Sequence, residues 1–150
     1  MKTLFYLVCF SSFALITACN QNAKKEEDSN KTANQTVSEN LKLQVFYFHV
    51  TNRCATCNGI EANVRKVLET NYAKEMRSGE INFKSLNVDE QENKALAEKY
   101  QAYGASLHLV KIEKGQEKDN DLTDYAFTFS RPQPEVFLKG MKDTIQYFLK

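Results

Sequence analysis

The chain has 150 residues, and 20 Lys and Arg against 19 Asp and Glu leave a formal charge of +1. The two signs are interspersed and no basic stripe alternates with aromatics, so the pattern argues against a nucleic-acid surface. No internal repeat is present, and the stretch after residue 40 is long enough for one small domain with one core, too short for two.

Met1-Lys2 opens an apolar run from Leu4 to Ile16, broken mainly by Ser11-Ser12 and followed by Ile16-Thr17-Ala18-Cys19. A basic start, an apolar stretch too short to span a bilayer comfortably and small residues before a break describe a secretory signal over residues 1–18. Its ending resembles the lipobox of bacterial lipoproteins. That resemblance implies cleavage before Cys19, a lipid on Cys19, and anchoring in the bacterial cell envelope, at the outer membrane on its periplasmic side or at the surface. Residues 19–40 are rich in Asn, Gln, Lys, Glu, Ser and Thr, with almost nothing to bury, and read as a polar tether. Within it, Lys24-Lys25-Glu26-Glu27-Asp28 reads as a solvated linker. The cluster also resembles the signal that sends some lipoproteins of the Bacteroides group to the cell surface. Of the four cysteines, Cys9 leaves with the signal and Cys19 takes the lipid, so Cys54 and Cys57 remain as thiols. Outside the cytoplasm a close pair is a disulfide or a redox switch.

The domain, residues 41–150, opens with Val45-Phe46-Tyr47-Phe48-His49-Val50, apolar on both faces as a central strand covered by helices requires. Arg53-Cys54-Ala55-Thr56-Cys57 comes next, at the start of a helical pattern through Ile60, Val64, Val67 and Leu68 that extends to about Met76 before Ser78-Gly79. Cysteines three apart in a first helical turn have Cα atoms roughly 5 to 5.5 Å apart, within disulfide range. The helix N-terminus lowers a thiol pKa, and Arg53 supplies a neighbouring cation. Cys54 at the exposed tip is the candidate nucleophile. Cys57, on the stripe of Ile60 and Val64, is the resolving thiol.

Residues 81–88 read as a second strand, parallel to the first through a right-handed crossover. Asp89 and Glu92 resemble a capping box for a second helix with Leu96, Tyr100 and Tyr103 on one face and Gly104 at its end. Leu107 to Glu113 is a third strand, Lys114-Gly115 a turn, and residues 116–123 a fourth strand. Leu122 to Phe129 fits both a strand and a helix. Pro132 and Pro134 precede a last helix with Phe137, Met141, Ile145 and Phe148 on its inner face. Phe48, Ile60, Val64, Leu109, Phe137 and Ile145 are expected to share one core.

This order of elements, with CxxC opening the first helix, resembles the thioredoxin-like superfamily over essentially all of residues 41–150. It implies an α/β fold with a mixed four-stranded sheet and helices on both faces. A narrower resemblance rests on Tyr47-Phe48-His49, the Arg53 to Cys57 stretch, Ile60-Glu61, Asn87-Val88-Asp89-Glu90, Glu92-Asn93-Lys94 and Tyr103-Gly104 with Ser106-Leu107. These resemble the small thioredoxin-like family known as nitrophenyl-compound nitroreductase subunits of arsenic-resistance operons, which implies a part in reducing nitro-aromatic compounds together with partner proteins. Two thioredoxin features are missing. Ser106-Leu107 stands where thioredoxins place a cis-proline, and Phe48 where they bury an acid six residues before the first cysteine.

Three functions suit these residues. The first is a lipid-anchored thiol–disulfide oxidoreductase with catalytic Cys54 and Cys57, supported by Arg53, Thr56, Ser106, Leu107 and His108. It needs no organic cofactor, and its partner is a disulfide-containing envelope protein or a membrane electron donor. The second is a copper or zinc protein using Cys54, Cys57 and His108, with His49 of similar status. The third is an interaction module held by a structural disulfide.

Overall fold

The computed structural model describes residues 40–150. The expected signal peptide (1–18), Cys19 and nearly all of the expected tether (19–40) lie outside the described residues.

The apolar run after Leu41 forms β1 (Leu43–His49), buried along six of its seven residues. It sits inside a four-stranded sheet of order β2-β1-β3-β4, where helices cover both of its faces, as its two-sided apolar pattern requires. β2 (Ile81–Asn87) is parallel to β1, with Leu43 opposite Ile81 and His49 opposite Asn87. β3 (Ser106–Glu113) is antiparallel to β1, with Phe48 opposite Ser106 and Phe46 opposite His108. β4 (Gln116–Asp121) folds back on β3 through a two-residue turn in which Lys114 and Gly115 both have positive φ, 52° and 75°. That conformation matches the twist of paired strands, and glycine takes it without strain. This is a thioredoxin-like fold.

The α1 helix (Ala55–Asn71) buries Cys57, Ile60, Val64, Val67 and Leu68. The helix expected to reach Met76 breaks at Tyr72, whose φ of −131° leaves the helical region, and resumes as α2 (Ala73–Ser78). The break places the Tyr72 ring in the core and lets its hydroxyl donate to the Lys142 carbonyl at 2.8 Å. Gly79 in the left-handed region ends α2.

The capping box is absent. The Asp89 carboxylate instead accepts the Thr51 N–H at 2.8 Å, and a single 3-10 turn (Gln91–Asn93) leads into α3 (Lys94–Lys99) with no side-chain cap. Gln101, at φ 54°, turns the chain after α3, three residues before Gly104, and Tyr103 is 80% exposed instead of lying on a buried helical face. The ambiguous segment is helical: α4 (Thr123–Phe129) comes after the shorter-than-expected β4, started by the Asp121 carboxylate accepting the Thr123 N–H at 2.8 Å. α5 (Pro134–Leu149) begins at proline and buries Phe137, Met141, Ile145 and Phe148.

The six expected core residues are all buried, yet they do not form one core. The sheet separates two clusters. Leu43, Val45, Tyr47, Leu107 and Leu109 pack with α1 and α5, and Phe46, Phe48 and Val110 pack with Ala97 and Tyr100 around α3. Phe48 therefore belongs to the second cluster and the other five to the first. Adjacent strand residues point to opposite faces, so the alternation along β1 and β3 assigns each side chain to its cluster.

Candidate functional site

At the C-terminal end of β1, the loop leading to the cysteines is pinned to the segment that ends β2. The Val88 N–H donates to the His49 carbonyl, the Thr51 N–H to Asp89, and the Asn87 amide to the Thr51 hydroxyl. Cys54 is the N-cap of α1 with extended backbone (φ −77°, ψ 167°), and the Asn58 N–H donates to its carbonyl to begin the helix. Its sulfur occupies the place a serine or aspartate oxygen takes in an ordinary cap, accepting the Cys57 N–H at 3.3 Å.

The two sulfurs are 2.8 Å apart as free thiols, Cys54 exposed and Cys57 buried at 8% exposure. Their environments push them in opposite directions. The Cys54 thiol is shifted down, chiefly because the Cys57 thiol donates to it and then because backbone N–H groups of Cys57 and Thr56 do the same. The Cys57 thiol is shifted up, first by burial and then by its hydrogen bond to Cys54. A pair so divided has one group ready to attack and one that holds its proton until needed.

Arg53 does not act as the cation beside Cys54 that its position in the sequence implies. Its guanidinium forms a 2.6 Å ion pair with Glu61, donates to the Cys57 carbonyl at 3.3 Å and lies over the Tyr47 ring at 5.4 Å. Glu61 is also bound by Arg65 at 2.6 Å. Burial alone would raise the Glu61 carboxyl, but hydrogen bonds from Arg65 and Arg53 outweigh it and hold the group below its usual range. Thus the positive charge of Arg53 is met by Glu61, and the Cys54 thiolate is favoured by hydrogen bonds at the helix N-terminus.

Tyr47 and Glu61 are the residues whose part at this site sequence reasoning missed. The Tyr47 hydroxyl donates to the Cys57 carbonyl at 2.8 Å, and burial pushes its pKa up to about 12, so it remains a neutral donor. The signal for Glu61 was present: Cys57, Glu61 and Arg65 recur every four residues, which stacks them on one stripe of α1 just after Arg53 and the N-cap.

The remaining candidates divide between the faces. Thr56 is half-buried between the cysteines. Leu107 lies opposite Tyr47, so it shares the face of α1, and its N–H donates to the Thr123 hydroxyl at 3.0 Å. Ser106 lies opposite Phe48, on the other face, with a buried hydroxyl that has no hydrogen-bond partner among the described residues. His108 corrects the metal reading. It is buried opposite Phe46, on the α3 side of the sheet, edge-on to Phe48, with Nδ1 3.0 Å from Asp119. The sheet stands between His108 and Cys57, so the set Cys54, Cys57 and His108 does not assemble. Among the described residues no group of three or more His, Cys, Asp or Glu side chains is placed to hold a metal ion. His49 ends β1 with its ring 6.1 Å from that of Tyr47 and Nδ1 donating to the Val50 carbonyl at 3.0 Å.

No family model and no curated protein matches this chain. Among solved structures it is similar to a thioredoxin from Thermus thermophilus (23% identity over 69% of this chain and 74% of that one, TM-score 0.44). It is also similar to mitochondrial thioredoxin 3 from Saccharomyces cerevisiae in its oxidised form (20%, 69% and 79%, TM-score 0.42). A third is Fasciola hepatica thioredoxin (22%, 69% and 86%, TM-score 0.41). The strand order and the site geometry carry the fold assignment without them. The narrower nitroreductase-subunit resemblance rests on its sequence motifs alone.

Proposed function

We propose that the chain is a thiol–disulfide oxidoreductase in which Cys54 is the nucleophile and Cys57 the resolving thiol. The observation that carries this reading is the pair itself: two free sulfurs 2.8 Å apart at a helix N-terminus, one exposed and acidified, the other buried with its pKa raised. In the reducing direction the Cys54 thiolate attacks one sulfur of a substrate disulfide, the substrate S–S bond breaks, and the departing thiolate takes a proton. The Cys57 thiol then loses its proton and attacks Cys54, breaking the mixed disulfide. The products are the substrate dithiol and a Cys54–Cys57 disulfide, so two electrons and two protons have moved to the substrate.

Tyr47 and Arg53 both donate to the Cys57 carbonyl and hold that residue in place. With no acid in place of Phe48, the proton of Cys57 passes to solvent or substrate. The expected substrate is a disulfide-containing envelope protein or a membrane electron donor, with the domain tethered through a lipid on Cys19. Supporting the anchor is the lipobox sequence, and Cys19→Ser should release the protein from membranes; retention there would contradict it. For the chemistry, Cys57→Ser should accumulate a mixed disulfide through Cys54. If that variant traps no disulfide substrate while Cys54 stays accessible, the reading fails.

A further inference from the structure

Among the described residues, the α3 side of the sheet is covered by one six-residue helix and the turn before it. Beside that helix lies a cavity of about 420 Å³ with an apolar floor of Phe46, Leu96 and Ile112. That volume is within the usual range for small-molecule sites. Lys84 lines it from β2, placed opposite Phe46 in the strand register and therefore on the same face. Its ammonium has no acidic partner among the described residues, and burial shifts its pKa down.

The other charges at the cavity are Lys99 and Glu117, paired with each other, and the Glu117 carboxylate also accepts the Tyr100 hydroxyl at 2.9 Å. Two ammoniums against one carboxylate leave the lining with one positive charge, located at Lys84. A half-buried cation with no counter-ion over an apolar floor favours a ligand that brings both an anion and apolar surface.

We propose that this cavity is a binding site for a small amphipathic carboxylate, an apolar chain lying over Phe46, Leu96 and Ile112 with its carboxylate on Lys84. The site is on the opposite face of the sheet from the cysteines and is independent of the redox reading. The test titrates the full chain with decanoate and, separately, with uncharged decanol, below aggregation concentrations, following backbone amides by NMR. Decanoate should shift amides of Phe46, Lys84, Leu96 and Ile112 and leave those of Cys54 and Cys57 in place. Lys84→Gln should weaken decanoate about tenfold, the order expected for loss of a charged hydrogen bond, with decanol unchanged. Lys84→Arg should retain decanoate, and Leu96→Trp, which fills the cavity, should abolish both. The proposal is overturned if 1 mM decanoate, roughly the limit of useful small-ligand affinity, leaves the lining amides unmoved. Equal binding of decanoate to the wild type and Lys84→Gln would overturn it as well.

Discussion

Glu61→Gln isolates the stripe that braces the resolving cysteine. The substitution keeps the shape of the side chain and removes the charge shared by Arg53 and Arg65, at 2.6 Å from each. The Arg53 and Glu61 side chains are only 21% and 13% exposed, so the pair is neither a surface ion pair, worth ~0 to 1 kcal/mol, nor fully buried, where breaking one costs ~3 to 5. An intermediate loss of about 1 to 3 kcal/mol is expected, or roughly 5 to 15 °C in Tm for a domain of this size. Because Glu61 titrates below its ordinary value when folded, its contribution is present above the unfolded pKa of about 4.3 and disappears as pH falls through the folded pKa. Urea unfolding followed by circular dichroism at pH 7 and pH 3 should show a gap between wild type and Glu61→Gln at pH 7 that narrows at pH 3. A cycle with Arg53→Met should return most of the loss as coupling. Coupling below about 0.5 kcal/mol, or a gap that does not shrink in acid, would refute the bracing role of Glu61.

Reduced protein should alkylate at Cys54 well before Cys57 at mildly acidic pH, and Cys57→Ala should raise the apparent pKa of Cys54 more than Arg53→Gln does, as mass mapping across a pH series would report. Gly140 lies where an added Cβ would collide with the Tyr125 hydroxyl, which donates to the Val136 carbonyl at 2.6 Å. Gly140→Ala should therefore destabilise the protein, despite a helix-propensity gain of about 1 kcal/mol, and become stabilising in a Tyr125→Ala background, measured by denaturant unfolding. Phe48→Ala should cost about 3 to 5 kcal/mol although it removes nothing from the cluster around α1, while Tyr103→Ala should cost under about 0.5, both read from the same unfolding curves.

Patterns of short range were well recorded in the sequence. β1 announced its central position by being apolar at consecutive residues, and the α5 stripe from Phe137 to Phe148 matched its buried face. The exposed Cys54 and buried Cys57 followed from helical spacing alone. What failed depended on contacts distant in sequence. Asp89 looked like a cap because its partner Thr51 is 38 residues away, and Tyr72 broke α1 to reach Lys142, 70 residues on. His108 looked available to the cysteines because loop proximity was read without strand phase, and one residue of phase puts a side chain on the other face. Arg53 was adjacent to Cys54 in sequence but was taken by Glu61, one turn beyond Cys57.

The proposed chemistry requires Cys54 and Cys57 to interconvert between dithiol and disulfide. Equilibrating the protein with glutathione buffers of graded ratio, then trapping free thiols by alkylation and counting labels by mass, tests this directly. A single reversible two-electron transition is expected, in which both cysteines lose their labels together, with no intramolecular transition in Cys54→Ser or Cys57→Ser. Two free thiols at every ratio, or a disulfide that no ratio reduces, would contradict it.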